Sequence, residues 1–356
     1  MHPGQHLLLG IEGPELTAAE RARFHKLKPA GYILFSRNIE SPEQTRALTD
    51  ELREFDTLDP IIAIDQEGGR VTRTKEIAPA LPSAVELAAH GKFPAMADAG
   101  HLTAESLRLL GFNMNFGPVL DLDHHPGAQN ALRDRCWGRD SQRVIDCAGM
   151  WNRWMRKASM RSCGKHFPAG GRALSDPHHD LPGSDATLDE LLAEDVIPYT
   201  ALMPELDAIM LAHVRFPNID PESPASLSRR IVQGFLRDQL GFDKHIVLTD
   251  DLDMGAIADR YPDSTDVPAA LQAGNDLAMI CHRTDRAEEA AARIAEVPSM
   301  FLDDSSRRLE RFRKKALRGR LGWDKTKWVK TCDKMRELRE SVPTLTGESN
   351  SPVADY

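Results

Sequence analysis

One stretch of the sequence places a carboxylate and a histidine where they could act together. In "GKHFPAGGRALSDPHHDLP" (164–182), Asp176 and His178 are separated only by Pro177. Residues two apart in an extended segment project to the same side, and a proline biases the residue before it toward that conformation. The carboxylate could then orient the imidazole, whose ordinary pKa of about 6.5 lets the ring donate and accept a proton at neutral pH. This pair is a candidate for general acid–base chemistry.

Other polar residues follow apolar runs along the chain. A buried charge is costly unless it meets partners or a ligand, so several such residues indicate a shared polar pocket. The residues concerned are Asp65, Gln66, Glu67, Asp121, Asp123, Lys165, His166, His213, Arg215, Asp250 and Asp251.

The apolar runs predict eight strands. They read as continuous apolar stretches, which is typical of parallel strands covered on both faces. The runs cover 6–13, 31–38, 60–69, 112–123, 162–169, 208–216, 245–253 and 276–281.

Helical segments separate these runs and carry recognisable start signals. In "SPEQ" (41–44), Ser41 can cap a helix, Pro42 suits its first position and Gln44 could complete a capping box. Thr187 and Glu190 repeat the device in "TLDE". Strand and helix alternating eight times predict an α/β fold of the (β/α)8 barrel type, in which the polar strand ends form the active site. A doubly wound open sheet is the alternative.

Composition limits the class of function. The chain has 356 residues, of which 41% are hydrophobic and 28% charged, as expected of a globular protein with a large core. A net charge of −9 argues against nucleic acid as partner. The N-terminal "HLLLG" is too short for a signal peptide or membrane span, and we expect a cytoplasmic protein. Five cysteines without C-x-x-C spacing suggest neither a disulfide framework nor a structural zinc site.

The C-terminal part differs from the rest. We divide the chain into a barrel domain (1–324) and a polar tail (325–356), which is predicted to lay a helix or two on the barrel before fraying. The basic run 306–320 is interpreted as a solvated helix face rather than a nucleic-acid patch.

Five motifs in order resemble glycoside hydrolase family 3, most closely its single-domain bacterial β-N-acetylglucosaminidase branch. They are "IDQEGGRVTR" (64–73), "DRCWG" (134–138), "KHFP" (165–168), "DPHHDLP" (176–182) and "LTDDLDMGA" (248–256). The resemblance extends from about residue 7 to about residue 320. It implies a (β/α)8 barrel, a terminal N-acetylhexosamine as substrate and no metal or other cofactor.

The resemblance also implies roles for single residues. Asp250 corresponds to the family's nucleophile, and His178 to its histidine acid/base, with Asp176 orienting the ring. His179 and Asp180 form an alternative pair that misses the family alignment. From position alone, Asp250 could instead be a helix N-cap, although Asp251 suits that place better.

By the same resemblance, a further set of side chains binds sugar hydroxyls. Asp65 would accept hydrogen bonds, and donors would be Arg73, Arg135, Lys165 and His166. Asp65 paired with Arg73 or Lys165 could equally be a structural ion pair. Strict alternation would send Lys165 and His166 to opposite faces, so both bind sugar only if the strand ends or bulges there.

The sequence departs from the family pattern after "KHFP". Ala169-Gly170-Gly171 stands where relatives have Gly-His-Gly, and Pro177 replaces the usual serine. We expect Gly170 and Gly171 to allow backbone conformations closed to other residues, so that the loop can carry His178 over the strand ends.

Together these features predict a retaining exo-β-N-acetylglucosaminidase acting on cell-wall muropeptide or chitin-type fragments, and leave the oligomeric state open. One alternative is a family 3 β-glycosidase or phosphorylase of different sugar specificity, because a histidine acid/base does not repel an incoming anion. A second is a metal-dependent barrel hydrolase using "DLDHH" (121–125) and "DPHHD" (176–180). A non-catalytic sugar-binding protein is a third possibility, which an intact Asp250, Asp176 and His178 argue against.

Overall fold

Eight parallel strands close into a barrel in the computed structural model, which describes residues 2–126, 131–174, 181–316 and 319–345. The first strand, β1 (Leu7–Leu9), pairs with β2 (Gly31–Leu34) on one side and with the last strand, β10 (Leu277–Ile280), on the other, so the sheet has no free edge. The predicted (β/α)8 barrel is confirmed, and the open-sheet alternative is wrong. The barrel strands are β1 Leu7–Leu9, β2 Gly31–Leu34, β3 Ile61–Ile64, β6 Met114–Asn115, β7 Arg161–Phe167, β8 Ala208–Leu211, β9 Ile246–Asp251 and β10 Leu277–Ile280.

Seven of these strands lie inside their apolar runs, and β7 begins at Arg161, one residue before its run. Alternate side chains point into the barrel, where Leu8, Ile33, Ala63 and Met279 belong to one buried cluster. Their neighbours point outward and pack with the helices in a second, larger cluster. The third run also contains β4 (Gln66–Gly68), which forms an antiparallel hairpin with β5 (Val71–Thr72) just after the run. This hairpin lies outside the barrel sheet.

Helices surround the barrel. They are α1 Ala18–Leu27, α2 Pro42–Glu51, α3 Ala84–His90, α4 Phe93–Leu109, α5 Ser141–Lys157, α6 Leu188–Ala193, α7 Ile197–Leu202, α8 Gly255–Ala258, α9 Asp266–Ala273, α10 Ala287–Ala295, α11 Ser299–Ala316 and α12 Lys325–Ser341, with a π-type helix at Arg230–Gln239 and several short 3-10 turns. Among the described residues, none of the helices has the length and apolar character needed to cross a membrane.

The helix start signals are confirmed with one correction. Thr187 and Glu190 form the full capping box, because each side chain bonds the backbone N–H of the other. Ser41 accepts from the N–H of Gln44 at 3.1 Å, as predicted. The Gln44 side chain, however, accepts from the N–H of Glu40 at 3.0 Å, so the reciprocal half of that box is not formed with Ser41.

The C-terminal helix α12 packs on α4. Trp328 and Met335 are buried there, and Thr331 donates to a Glu105 carboxylate oxygen at 2.9 Å. The packing agrees with a helix laid on the barrel. Whether 325–356 is a unit separate from 1–324 stays a prediction.

The basic run before it is only partly solvated. Arg307 is exposed, but Arg308 pairs with the buried Asp276 at 2.8 Å and Arg313 is itself buried against Asp56. The interpretation as a solvated face is therefore wrong for Arg308 and Arg313, because α11 presents these guanidinium groups to the barrel.

Candidate active site

A pocket lies at the C-terminal ends of the barrel strands. It encloses about 480 Å³ of space, part of it open to solvent. Six of the predicted site residues line it together: Asp65, Arg73, Arg135, Lys165, His166 and Asp250. The other two, Asp176 and His178, lie outside the described residues, as do the alternatives His179 and Asp180.

Two buried cations share two carboxylates on one side of this pocket. The Lys165 ammonium lies 2.6 Å from a carboxylate oxygen of Asp65 and 2.6 Å from one of Glu67. Arg135 donates to both oxygens of Glu67 at 2.8 Å, a bidentate geometry that fixes the guanidinium plane. The suspected Asp65–Lys165 ion pair is present, and it lies in the pocket rather than away from it.

These contacts favour the charged forms of Glu67, Lys165 and Arg135. Burial alone would raise the pKa of the Glu67 carboxyl, but Arg135 and Lys165 outweigh burial and lower it. Burial would likewise lower the pKa of the Lys165 ammonium, but Asp65 and Glu67 raise it overall. The cluster therefore presents both acceptors and donors, which is what binding of vicinal hydroxyl groups requires.

Glu67 was among the polar residues that follow an apolar run, but it was not assigned to the site. The β4–β5 hairpin that carries it is held by Asn115, whose side chain bonds both the N–H and the C=O of Gln66 at 2.9 Å. The sequence contains one indication of this role for Glu67. Two cations in one pocket, Arg135 and Lys165, require more than one carboxylate as partners when they are buried.

β7 loses its regular register at the site. The pairing of β7 with β8 shifts between Gly164 and Phe167, and the Lys165–His166 peptide bond is cis. Lys165 and His166 both line the pocket. The irregularity in the strand that would let both residues face the site is therefore present, and sugar binding by either residue stays a prediction.

His166 is fixed by Asp121, another residue that the sequence analysis left without a role. One Asp121 oxygen accepts from the His166 backbone N–H at 3.0 Å and lies 2.7 Å from the ring Nδ1. The second ring nitrogen, Nε2, faces Arg135 at 3.5 Å. The imidazole is therefore held in one orientation toward the pocket.

Asp250 projects from the C-terminal end of β9. Burial would raise the pKa of its carboxyl, but His166, His213 and the backbone N–H of Asp251 outweigh burial and lower it. That N–H donates to one Asp250 oxygen at 2.9 Å. An ionised carboxylate on a rigid strand end can act as a nucleophile.

Asp251, the next residue, is not suited to act as the nucleophile. Burial, reinforced by Asp253, raises the pKa of its carboxyl well above the ordinary value. One of its oxygens accepts from the N–H groups of Asp253 at 3.0 Å and Cys281 at 3.1 Å. The expectation of a helix N-cap is wrong, because α8 begins only at Gly255 and Asp251 instead joins the ends of β9 and β10.

Arg73 lines the pocket beside an aromatic ring. Its guanidinium carbon lies 5.8 Å from the centre of the Phe35 ring, and burial lowers its pKa. Apolar and sulfur-bearing side chains complete this part of the pocket: Ile33, Val71, Met210, Met254, Met279 and Cys281. Sequence reasoning missed them because apolar residues at strand ends look like ordinary core.

The glycines after "KHFP" have a different role from the one expected. Neither Gly170 nor Gly171 is among the residues with positive φ, so the expectation of unusual backbone conformations is wrong. A Cβ on Gly171 would lie 2.0 Å from the carbonyl oxygen of Leu122. The Gly171 N–H also donates to Asp121 at 3.2 Å, so the glycine permits a close approach that helps to hold the carboxylate behind His166.

His124, from the "DLDHH" motif, lies with Glu194 and Asp195 in a group whose atoms could hold a metal ion. A guanidinium already occupies that group, since Arg172 bonds Asp195 at 2.7 Å and Glu194 at 3.0 Å. None of these residues lines the pocket. The group therefore gives the pocket no metal ligands.

Known proteins share this sequence and architecture. Residues 7–312 match the model of the glycosyl hydrolase family 3 N-terminal domain. A β-hexosaminidase of Pseudomonas aeruginosa is 37% identical over 287 residues, which are 80% of this chain and 85% of the relative. NagZ of Neisseria gonorrhoeae, solved with N-trifluoroacetyl-D-glucosamine, is 30% identical with a TM-score of 0.81, covering 94% of this chain and 98% of NagZ.

A further solved structure is a family 3 β-N-acetylglucosaminidase from Paenibacillus, with 30% identity and a TM-score of 0.86. The match covers 95% of this chain and 68% of that protein. With a family match over most of its length and a barrel whose polar pocket lies at the strand ends, this chain belongs to glycoside hydrolase family 3.

Proposed function

We propose that the chain is an exo-β-N-acetylglucosaminidase that removes a terminal N-acetylhexosamine with retention of configuration. The observation that carries the proposal is the position of the Asp250 carboxyl, whose pKa is lowered, in the same pocket as Asp65, Lys165 and Arg135. Similarity to proteins named β-hexosaminidase and β-N-acetylglucosaminidase supports the sugar specificity.

The reaction would proceed by double displacement. An Asp250 oxygen attacks the anomeric carbon, the glycosidic bond breaks, and the leaving oxygen takes a proton from His178. In the second step His178 accepts a proton from water, which attacks the anomeric carbon and releases Asp250. Asp176 would hold the imidazole during both proton transfers.

Sugar hydroxyl groups would be bound by the charged cluster. The Lys165 ammonium has three N–H groups, and the contacts with Asp65 and Glu67 leave a third for a hydroxyl oxygen. Asp65, which is partly exposed to the pocket, would accept a hydroxyl proton. Arg73 and Arg135 would donate to hydroxyl oxygens. The Nε2 of His166, which faces the Arg135 guanidinium at 3.5 Å, would accept from a hydroxyl rather than donate as expected.

His166 is a poor candidate for the acid/base itself. Its Nδ1 is engaged by Asp121 and its Nε2 faces the Arg135 guanidinium, so a proton on Nε2 would meet a positive charge. We therefore keep the acid/base role with His178, as the resemblance implies.

We further propose cell-wall muropeptides or chitin-type fragments as substrates and the cytoplasm as location. The support is the resemblance of the sequence motifs to the single-domain bacterial β-N-acetylglucosaminidase branch of the family. No role for nucleic acid, a membrane or a cofactor is proposed.

The decisive test compares p-nitrophenyl β-N-acetylglucosaminide with the corresponding β-glucoside, with and without phosphate and with and without a chelator. We expect turnover of the first substrate that needs neither phosphate nor metal. Preference for the glucoside would favour a different family 3 glycosidase, acceleration by phosphate with formation of a sugar 1-phosphate would favour a phosphorylase, and loss with the chelator would favour a metal-dependent hydrolase.

A further inference from the structure

Four arginines converge at the other end of the barrel. Arg46, Arg53, Arg108 and Arg320 line a cavity that encloses about 390 Å³ of space, part of it open to solvent. Gly111 and Asn113 before β6 and Ser159 before β7 complete part of its wall, so the cavity lies at the N-terminal ends of the strands. The proposed active site is at the opposite end.

Positive charge exceeds negative charge around this cavity. Asp50 pairs with Arg46 at 2.7 Å and lies 3.7 Å from Arg53. Asp59 pairs with Arg320 and lies 3.9 Å from Arg53. Three of the four guanidinium groups thus share these two carboxylates, whereas Arg108 donates to the carbonyl oxygens of Ala158 and Gly319. Arg161, near Arg108, is itself paired with Asp207 at 3.5 Å.

Arg53 is the most constrained of the four. Its side chain is 6% exposed, and two of its nitrogens donate to the carbonyl oxygens of Thr49 and Gly111. Its Nε has no hydrogen-bond partner among the described residues. Burial, and then the charge of Arg320, lowers the pKa of this guanidinium to about 10. A buried cation with an unused donor is the arrangement that an anion would stabilise.

We propose that this cavity is a binding site for a phosphate group, either as inorganic phosphate or as a phosphate monoester. Guanidinium groups bind tetrahedral oxyanions through paired, charge-assisted hydrogen bonds. The ligand would stabilise the segment 319–321 between α11 and α12, because Arg108 already donates to the Gly319 carbonyl and Arg46 to the Leu321 carbonyl. This site is independent of the glycosidase proposal.

The test uses Ser159→Asp, which places a tethered carboxylate in the wall of the cavity. Ser159 has a positive φ of 66°, a conformation that aspartate tolerates better than most residues, so the variant should fold. Ser299→Asp, at the exposed start of α11, makes the same change in charge elsewhere. Calorimetric titrations with inorganic phosphate and with glucose 6-phosphate are run at constant ionic strength, with chloride as the reference anion.

We expect the unmodified chain and Ser299→Asp to bind at least one of the two phosphates, and Ser159→Asp to bind it about tenfold more weakly or worse. The ligand should slow hydrogen exchange at 319–321 only in those variants that bind it. The tighter of the two ligands identifies the source of the phosphate group. The proposal is overturned if neither phosphate binds more strongly than chloride, or if Ser159→Asp binds as well as the unmodified chain.

The same comparison separates this cavity from the active site. Phosphate held near Asp250, as a phosphorylase would hold it, should be displaced by saturating N-acetylglucosamine and be unaffected by Ser159→Asp. Phosphate bound in the arginine-lined cavity should not be displaced by N-acetylglucosamine and should bind more weakly to Ser159→Asp. This result does not depend on which sugar the enzyme cleaves.

Discussion

The two ends of the barrel use buried cations in different ways. At the C-terminal end, Lys165 and Arg135 are matched by the carboxylates of Asp65 and Glu67, and the group lines a pocket. At the N-terminal end, Arg46, Arg53 and Arg108 donate largely to backbone carbonyl oxygens. The carboxylates of Asp50 and Asp59 there are shared by Arg46, Arg53 and Arg320.

The difference shows what distinguishes a reactive end from a supporting end. Ion pairs at the C-terminal end leave polar atoms directed at a ligand, whereas carbonyl contacts at the N-terminal end join loops and the α11–α12 linker to the barrel. Substitutions at the C-terminal end should therefore reduce catalysis or greatly lower the free energy of unfolding. Substitutions of exposed groups at the N-terminal end should change neither.

The largest effect is expected for Asp250→Asn. A neutral amide cannot form the glycosyl ester, so kcat should fall by roughly 10⁴-fold or more while the circular dichroism spectrum stays the same. Asp259→Asn, at an exposed position after α8, is the matched control and should keep full activity. Near-normal turnover by Asp250→Asn would remove the nucleophile assignment.

The next largest effect is expected for His178→Ala. Substrates with poor leaving groups should slow by roughly 10²–10⁴-fold, the usual contribution of proton transfer, while activated aryl glycosides should lose much less in the first step. Azide should rescue the second step and be recovered as a β-glycosyl azide, and Asp176→Ala should show a milder form of the same pattern. Equal losses on both substrates without rescue would move the acid/base to His179 or elsewhere.

Glu67→Gln should mainly cost stability. It leaves Arg135 and Lys165 with one carboxylate fewer in a buried place, where breaking an ion pair costs about 3–5 kcal/mol. Urea unfolding should report that loss and steady-state kinetics a raised KM, with the exposed Glu222→Gln as control. A loss below about 1 kcal/mol would mean that the pair behaves like a surface ion pair.

The pH dependence of this stability loss has a definite sign. The pKa of Glu67 is lowered by folding, so its contribution should be complete above the unfolded pKa of about 4.3 and disappear as pH falls through the lower folded value. Unfolding curves of the unmodified chain and Glu67→Gln should therefore converge toward acid pH. A difference that grows below pH 4 would contradict the charge assignment.

The smallest effect is expected for Arg320→Ala at the N-terminal end. This guanidinium is 54% exposed and pairs with Asp59 at the edge of the cavity, so its loss should change the free energy of unfolding by about 1 kcal/mol or less. Its kcat and KM should equal those of the unmodified chain. A change in kcat of tenfold or more would show that the two ends are coupled.

Much of the fold was predictable from the sequence because its signals are local. Continuous apolar runs such as 245–253 mark strands covered on both faces, and Thr187 with Glu190 marks a helix start, without reference to distant residues. Gln44 shows the limit of this approach, since its side chain could reach more than one backbone N–H and only the packed structure decides between them.

The candidate site was predictable in its members but not in their partners. Lys165, Arg135 and Asp65 were identified by motif, yet the pairing of Arg135 with Glu67 depends on how the β4–β5 hairpin folds over the strand ends. Gly171 was expected to provide an unusual backbone conformation. It is needed instead because its backbone lies close to Leu122, which is 49 positions away in the sequence. Long-range contacts of this kind leave no local pattern.

Trapping the covalent intermediate tests the central claim most directly. The unmodified chain is incubated with a 2-deoxy-2-fluoro-type mechanism-based glycosyl fluoride, digested, and the labelled peptide is located by mass spectrometry. The account predicts one glycosyl group attached to the Asp250 carboxylate and no such label in Asp250→Asn. A label on Asp251, or inactivation without any labelled residue, would contradict it.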